Sequence, residues 1–409
     1  MKITRTSGLI ALMVVGALTL SACGSDNNTA ATSSAPAAAT SAASAAGSAV
    51  SSAGSGASAA MSSGQTAASS AAAAGAGATF EGSGFACATG SLRSSGSTAQ
   101  GKVMEQWISD FNAKCNASLN SYGGGGSGKG IADFIANQVD FAGSDSALNA
   151  DQAAQAKSPR CAGNAALNLP MVTGPIALAY NLSGVTDLTL TPKVLAGIFA
   201  GTIKTWNDPA IAAVNPGVTL PSLAIQAVHR AEDSGTTDNF TKYLTAAAPT
   251  VWTFPGGKSW SAPGGVAAQG SDGVSKQIKS TEGAIGYVEW GFALDDGLSV
   301  AKIDNGGGAV ELSADSAGKA VSAATVTGTG KDLALKLDYA TKTPGVYPVI
   351  LVTYEIVCSA GNAADIGPLL KSFLGYTSTD GQASLAQLGA APLPAEIQTK
   401  VIASVQTIS

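Results

Sequence analysis

The chain has 409 residues, enough for two domains or more, and only 12% of them are charged. The 22 Lys and Arg face 27 Asp and Glu, which gives a formal net charge of -5. A mildly acidic chain without a basic run lacks the positive surface that nucleic acid requires, so any anion site has to be local.

Residues 1–22 are typical of a signal peptide. Lys2 and Arg5 precede an apolar stretch over residues 8–20, which is too short to span a bilayer. The motif L-S-A-C that ends at Cys23 resembles a bacterial lipobox, and this resemblance implies cleavage before Cys23 and lipidation of its thiol. The alternative is a plain signal peptide with an incidental cysteine. Both interpretations predict export from the cytoplasm.

Residues 23–81 form a segment rich in Ala, Ser and Gly, with no charged residue between Asp26 and Glu81. Because few large apolar side chains are available for burial, the segment is predicted to be a disordered tether. Its random-coil reach is on the order of 40 Å. We expect it to hold a folded body away from a membrane.

Four further cysteines in an exported chain predict two disulfides, for which three pairings are possible. We favour Cys87–Cys115, because these two residues flank one predicted helix. The remaining pair is then Cys161–Cys358. A CxxC metal pattern is absent, and we expect neither a metal nor another cofactor.

Two polar segments precede predicted helices in the first part of the folded region. The sequence G-S-T-A-Q-G over residues 96–101 is followed by apolar residues at helical spacing over residues 104–111. The glycine-rich residues 122–130 are followed by a similar pattern over residues 131–139. Small residues at a helix start leave backbone N–H groups approachable, which favours binding of an anion.

The glycine-rich segment also matches G-x-x-x-x-G-K, the pattern of a nucleotide-binding loop. Gly130, however, stands where such a loop needs Ser or Thr to ligate magnesium, so an NTPase is disfavoured. A flexible linker is disfavoured as well, because amphipathic structure resumes on both sides. A short predicted strand from Val139 then leads to a turn that contains Asp145, for which a helix N-cap is the alternative role.

Residues 228–240, V-H-R-A-E-D-S-G-T-T-D-N-F, predict a strand that ends near Val228, a tight turn, and a helix over residues 238–244. Free N–H groups and the positive end of the helix dipole favour an anion there, and Arg230 adds a planar fork of donors. Further donors are the hydroxyls of Ser234, Thr236 and Thr237. The alternative is an ordinary junction in which Ser or Thr caps the helix.

Two apolar runs, residues 167–180 and 347–358, predict buried strands that cross between two lobes. Between them, Thr191-Pro192 is predicted to open a helix and a turn is predicted from Trp206. Strands that alternate with amphipathic helices predict the α/β class.

Taken together, these motifs resemble the phosphate-binding subunit of the Pst phosphate ABC transporter, over roughly residues 82–402. The segments that carry the resemblance are G-S-T-A, G-G-S-G-K-G-I, V-D-F-A-G-S-D-S-A-L, H-R-A-E-D-S-G-T-T-D-N-F-T-K-Y-L and G-S-D-G-V-S-K-Q-I-K-S-T-E-G-A-I-G-Y-V-E-W. The resemblance implies a two-lobed periplasmic-binding-protein fold of type II. Lobe I would comprise residues 82–171 and 346–409, and lobe II residues 172–345.

The resemblance also implies that the protein captures inorganic phosphate between its lobes and delivers it to the permease of an ABC importer. It implies a monomeric lipoprotein outside the cytoplasm, anchored to the cell membrane, and not an enzyme. The ligands implied by motif position are Thr98, Ala99 through its N–H, Ser127, Asp145, Arg230, Ser234, Gly235 through its N–H, and Thr236. Glu232 is implied to brace the Arg230 guanidinium. The family often has an aromatic residue and Pro where this chain has Ala99-Gln100, so only a backbone contact is implied there.

Asp145 is the residue that argues for phosphate in particular. A carboxylate beside an anion repels it unless the anion carries a proton to share, as phosphate does and sulfate does not. The alternatives are a binding protein for another oxyanion such as sulfate, a phosphoester hydrolase, or an adhesive lipoprotein. His229 is the only histidine, and neither a nucleophile elbow nor a His and carboxylate cluster supports hydrolysis.

Overall fold

The structure is a computed structural model that describes residues 79–80 and 84–409. The predicted signal peptide, the lipidation site Cys23 and nearly all of the predicted tether lie outside the described residues. Phe80, near the end of that predicted tether, is 1% exposed, and its ring centre lies 5.6 Å from that of Tyr376. Within the described ranges, no helix has both the length and the hydropathy needed to cross a membrane.

The described residues alternate between strands and helices. The strands are β1 (Ser94–Gly96), β2 (Phe141–Ser144), β3 (Ala166–Tyr180), β4 (Thr189–Leu190), β5 (Gln226–Arg230), β6 (Val266–Ala268), β7 (Ala284–Glu289), β8 (Ser299–Val300), β9 (Lys302–Asp304), β10 (Ala309–Val310), β11 (Thr325–Val326), β12 (Leu335–Lys336) and β13 (Ile350–Cys358). The helices are α1 (Gly101–Cys115), α2 (Ser127–Ile135), α3 (Ala150–Gln155), α4 (Pro192–Phe199), α5 (Pro209–Ala212), α6 (Gly235–Ala247), α7 (Gly270–Ser280), α8 (Trp290–Asp296), α9 (Ala314–Ser322), α10 (Ile366–Thr377) and α11 (Ala395–Val405). A π-helical turn (Ala156–Arg160) follows α3, and a 3-10 helix (Asp380–Leu388) follows α10.

The principal sheet has the strand order β1-β2-β13-β3-β7-β5-β6, with β8 paired to β3. Pairing is parallel at both ends, between β1 and β2 and among β7, β5 and β6, and antiparallel in the middle. Each parallel end is covered by helices, as βαβ connections require. The middle strands β13 and β3 join the two ends.

β3 is the long apolar run of the sequence and crosses between two cores. Residues 167–172 pack in a core that includes Trp107 of α1, together with α10 and α11. Residues 176–180 pack in a second core that includes Phe240 of α6, together with α4 and α7. The predicted crossing strand is therefore present, and β13 runs antiparallel beside it.

A local irregularity accommodates a proline inside this central pairing. The register between β13 and β3 shifts between Thr353 and Tyr354, whose partners are Val172 and Pro170, so that Met171 is the extra residue. The bulge therefore lies next to Pro170, which has no N–H to donate to the ladder.

Two disulfides close the pairs favoured from the sequence, Cys87–Cys115 and Cys161–Cys358. The first links the segment before β1 to the last residue of α1. The second joins the turn before β3 to the end of β13.

The turn of the β11–β12 hairpin packs against the core of the other predicted lobe. Leu333, which lies in the range expected for lobe II, is 5% exposed in the core that includes Trp107. Its neighbour Asp332 accepts hydrogen bonds at Oδ1 from Asn168 N at 2.7 Å and from Asn168 Nδ2 at 2.8 Å.

Candidate functional site

The residues singled out by the sequence follow the carboxyl ends of strands and lie at helix starts. β1 ends just before Thr98, β2 ends at the residue before Asp145, and β5 ends at Arg230. α2 begins with Ser127 and α6 begins with Gly235. Ligands of open α/β sheets are held at such strand ends, where helix N–H groups are free.

Asp145 is buried, with 3% of its surface exposed, and is surrounded by hydroxyl donors. Oδ1 accepts hydrogen bonds from Ser97 Oγ at 2.5 Å and from Thr353 Oγ1 at 2.8 Å. Oδ2 accepts one from Ser127 Oγ at 3.2 Å. Burial raises the pKa of Asp145, while these hydroxyls and the charge of Arg230 oppose the rise. The result is a fixed acceptor that gains a proton more easily than an exposed aspartate.

Asp145 is not a helix cap. The next helix, α3, is capped by Asn149, whose side chain accepts from Gln152 N at 2.9 Å in a capping box. The alternative role suggested by the sequence, a helix N-cap, is therefore wrong, because Asn149 and not Asp145 caps α3.

Arg230 is also buried, with 3% exposure, and its guanidinium reaches across to Thr98, which precedes α1. Nη2 donates to Thr98 Oγ1 at 2.8 Å and forms an ion pair with Glu232. Nη1 donates to Thr236 Oγ1 at 3.4 Å, while Nε is buried without a partner. The end of β5 is held by a hydrogen bond of 3.2 Å from the Arg230 N–H to Tyr287 Oη.

Glu232 links Arg230 to the start of α7. Its two carboxylate oxygens accept from Gly270 N at 3.2 and 3.3 Å. The next N–H of that helix, on Ser271, donates to Thr98 Oγ1 at 3.2 Å. The start of α7 therefore joins the same cluster, although no ligand was predicted there from the sequence.

Gly235 sits where no larger residue fits. A Cβ atom there would lie 2.4 Å from Ser127 Oγ and 2.5 Å from Asp145 Cβ. Ser234 caps α6 by accepting from Thr237 N at 3.2 Å, as the alternative interpretation of this junction predicts. A cap and an anion site are compatible, since one cap leaves other N–H groups of the first turn available.

The glycine-rich loop packs closely against the turn after β5. A Cβ atom on Gly126 would lie 2.8 Å from the Asp233 carbonyl oxygen, and Gly128 N donates to that oxygen at 3.1 Å. Lys129, the lysine of the nucleotide-loop pattern, instead pairs with Asp133 one turn along α2 and is half exposed. The glycines of this loop therefore allow its backbone to lie close to the backbone of the turn after β5.

All of the predicted ligands lie in one connected cluster. Ala99 is 3% exposed and its N–H donates to Ser97 Oγ at 3.2 Å, which in turn donates to Asp145. Which of these groups contact a ligand stays a prediction.

Three contributors escaped the sequence reading. Ser97 stands next to Thr98 and was the easiest to find, since its hydroxyl belongs to the same G-S-T motif. Thr353 comes from β13, 208 residues away from Asp145, and its position depends on strand pairing that no local motif reveals. Ser271 follows a glycine in the G-S-D-G-V motif, which carries the family resemblance but for which no ligand was predicted.

His229 lies beside the cluster and has structural contacts. Its ring stacks on Trp260 with centres 5.0 Å apart, and Nδ1 lies 3.0 Å from the Arg230 carbonyl oxygen. Among residues 79–80 and 84–409, no group of three or more His, Cys, Asp or Glu side chains is arranged to hold a metal ion.

Comparison with known proteins agrees with this architecture. Residues 21–380 match the PBP superfamily domain. The phosphate-binding protein PstS 3 of Mycobacterium tuberculosis is 40% identical over 413 residues, which cover 100% of both chains. The chain belongs to the PstS family of phosphate-binding proteins. The predicted family is therefore confirmed.

Other members of the PstS family and solved structures fit the same picture. PstS 2 of Mycobacterium tuberculosis is 40% identical over 322 residues, covering 78% of this chain and 87% of the relative. A human phosphate binding apolipoprotein superposes with a TM-score of 0.62 at 26% identity, covering 76% and 93% of the two chains. A periplasmic phosphate-binding protein, PfluDING, has the same TM-score of 0.62 at 24% identity, covering 77% and 93%. The predicted two-lobed α/β fold of type II is confirmed.

Proposed function

We propose that this protein captures inorganic phosphate outside the cytoplasm and delivers it to the permease of an ABC importer. The observation that carries the proposal is the convergence of Thr98, Ser127, Asp145 and Arg230 on the first turn of α6 in one buried, hydrogen-bonded cluster. Membership of a family whose relatives are named phosphate-binding proteins supports the same ligand.

The donors of this cluster suit an anion that has lost its water. Neutral O–H and N–H groups at several helix starts supply hydrogen bonds without a surplus of positive charge. Arg230 supplies one fixed cation, and Glu232 keeps its guanidinium in place. The proposed ligands are those of the sequence prediction: Thr98, Ala99 N–H, Ser127, Asp145, Arg230, Ser234, Gly235 N–H and Thr236.

Two existing hydrogen bonds indicate how the ligand would be accepted. The Ser127 hydroxyl donates to Asp145 and the Arg230 Nη2 donates to Thr98. A bound phosphate would take both donors. Asp145 Oδ2 would then accept the proton of the phosphate, whereas sulfate would meet an unshared, repelling oxygen.

Capture between lobes I and II, with residues 82–171 and 346–409 in the first and 172–345 in the second, requires the lobes to part. Contacts across that proposed boundary favour a closed form here. Ser146 Oγ donates to Asp238 Oδ2 at 2.6 Å, and Gly128 N donates to Asp233 O at 3.1 Å. Entry of phosphate would separate these pairs, and its hydrogen bonds to both lobes would restore them.

The remaining parts of the proposal concern the cellular setting. A lipid on Cys23 would anchor the protein to the membrane, the tether would give it reach, and a monomer would dock on the permease. We infer binding without catalysis, because His229 is occupied by stacking and by its contact near the Arg230 carbonyl.

Calorimetric titration of the full chain tests the proposal. Phosphate is expected to bind at one site per chain, and sulfate at the same concentration is expected to give no comparable heat. Equal binding of both ions would identify a general oxyanion carrier, and binding of neither would refute the proposal. Release of phosphate from a phosphomonoester by the protein would indicate a hydrolase instead.

A further inference from the structure

A second buried carboxyl group, that of Glu355, lies beneath the anion cluster. Glu355 is on β13, two residues after Thr353, which donates to Asp145. Side chains two apart on a strand point to the same face, so Glu355 lies on the face that carries Asp145's partner. Its neighbour on β2 is Gly143, two residues before Asp145.

Gly143 leaves a space that two polar side chains fill. A Cβ atom at this position would lie 2.1 Å from Gln100 Nε2 and 2.3 Å from Tyr122 Oη. A larger residue would displace one or both of these side chains, and Gln100 and Tyr122 lie directly over the backbone that leads to Asp145. Gln100 is also the residue between Ala99, a proposed ligand, and the first residue of α1.

The hydrogen bonds of this group are incomplete as they stand. Gln100 Nε2 donates to Tyr122 Oη at 3.2 Å. Gln100 Oε1 and both carboxylate oxygens of Glu355 are buried without a partner, and Glu355 is 0% exposed. Three buried acceptors without donors are costly, and a proton on Glu355 supplies an additional donor at the point of deficit.

The electrostatic surroundings favour that proton. Burial raises the pKa of Glu355 to about 8, the Gln100 side chain beside it opposes the rise, and the negative charge of Asp145 adds to it. The other titratable group that faces it is Tyr122, whose pKa is raised well above its ordinary value by burial and by the charge of Glu355. The residue before α1 is the uncharged Gln100, and among the described residues no cation lowers the pKa of Glu355.

We propose that Glu355 is a positioning residue of the anion site: as a neutral acid it completes the Gln100–Tyr122 group beneath Asp145 and spares the bound anion a second buried negative charge. This inference rests on the proposed function. Ionisation of Glu355 releases its proton to solvent, leaves a charge beneath Asp145, and removes the donor that holds the residue before α1.

The experiment compares phosphate affinity across pH in the full chain. Wild type, Glu355→Gln and Glu105→Gln are titrated with phosphate from about pH 6.5 to about pH 9.5. Glutamine keeps the shape and stays neutral, and Glu105 is an exposed residue of α1 that receives the same change. Because all three variants meet the same phosphate ions, differences between them report on the protein.

Wild type and Glu105→Gln are expected to lose on the order of tenfold more affinity than Glu355→Gln between about pH 7 and about pH 9.5. Parallel pH profiles for wild type and Glu355→Gln would overturn the inference while leaving the proposed function intact. Absence of phosphate binding by wild type at every pH would instead refute the proposed function.

A measurement on wild type alone keeps the inference testable if Glu355→Gln fails to fold. The assigned side-chain carboxyl carbon of Glu355 is followed by NMR in the phosphate-free protein. A midpoint near the pKa of about 8 supports the inference, and titration in the ordinary range of a glutamate overturns it.

Discussion

Arg230 and Thr98 are joined by a hydrogen bond of 2.8 Å from Nη2 to Oγ1, although 132 positions separate them in sequence. Thr98 precedes α1, beside one apolar core, and Arg230 ends β5, beside the other. The single buried guanidinium of this cluster is thus held by both halves of the protein, which is the arrangement a clamp needs.

Replacement of Arg230 by Ala is expected to weaken phosphate binding by about 2–5 kcal/mol, because the anion loses its charged partner and Glu232 is left without its cation. Calorimetry measures the change. Arg93→Ala is the matched control, since the Arg93 side chain is 54% exposed and pairs with Asp140 away from the cluster. Equal affinities for Arg230→Ala and the control would contradict the assigned role.

Replacement of Asp145 by Asn is expected to narrow the preference for phosphate over sulfate by about tenfold or more. The amide no longer repels sulfate, and it accepts the phosphate proton less strongly than a carboxylate. Competition between the two ions measures the ratio, with the exposed Asp151→Asn as control. A wild type that does not distinguish the ions would remove this role for Asp145.

The sequence predicted those parts of the fold and site that depend on local motifs. The apolar residues at helical spacing after Thr98 form α1, and Thr191-Pro192 starts α4 with the Thr191 side chain accepting from Val194 N. The strand predicted to end near Val228 extends to Arg230, because His229 and Arg230 pair with β6 beyond the point where pairing with β7 ends. The ends of a strand depend on its pairing with distant strands, so the periodicity of apolar residues alone cannot locate them.

The contacts that depend on the register between paired strands could not be predicted from the sequence. Thr353 reaches Asp145, and Glu355 lies opposite Gly143, only because β13 inserts between β2 and β3. Leu333 likewise joins a core far from its neighbours in sequence. Such placements depend on which strands pair in the folded protein. No single segment of the sequence shows that pairing.

Replacement of Gly235 by Ala is expected to abolish phosphate binding, since the added Cβ atom would lie 2.4 Å from Ser127 Oγ. Gly318→Ala is the matched control, because a Cβ atom in the middle of α9 meets nothing within 4 Å. That control is expected to bind normally and to gain about 0.5–1 kcal/mol of stability. Calorimetry and denaturant unfolding measure the two effects, and phosphate binding by Gly235→Ala at wild-type affinity would show that the site is looser than described.

Removal of the disulfides is expected to destabilise the protein unequally. Chain entropy gives about 5 kcal/mol for Cys161–Cys358, which spans 197 residues, and about 3.5 kcal/mol for Cys87–Cys115, which spans 28. Denaturant unfolding of the two double Cys→Ala variants measures the difference. The reverse order of stability would show that local packing, rather than the length of the closed loop, decides the contribution of each bond.

Glu289 offers a test of buried charge that is separate from ligand binding. Its Oε2 accepts from Gly291 N at 3.0 Å as the cap of α8, whereas Oε1 is buried without a partner. Burial raises the pKa of Glu289 well above its ordinary value, and the charge of Asp145 adds to the rise while that of Lys102 opposes it. The folded protein therefore holds a proton here over a pH range in which the unfolded chain has released it.

The sign of the resulting pH dependence follows from proton counting. Above the unfolded pKa of about 4.3 and below the raised folded value, the folded state binds more protons, so the free energy of unfolding falls as pH rises. Glu289→Gln keeps a cap acceptor and removes this slope, which amounts to at most about 1.4 kcal/mol per pH unit. Denaturant unfolding of wild type and variant at several pH values measures it. Parallel dependence in both proteins would mean that Glu289 is ionised in the fold, and that its orphaned oxygen is stabilised by a group other than a proton.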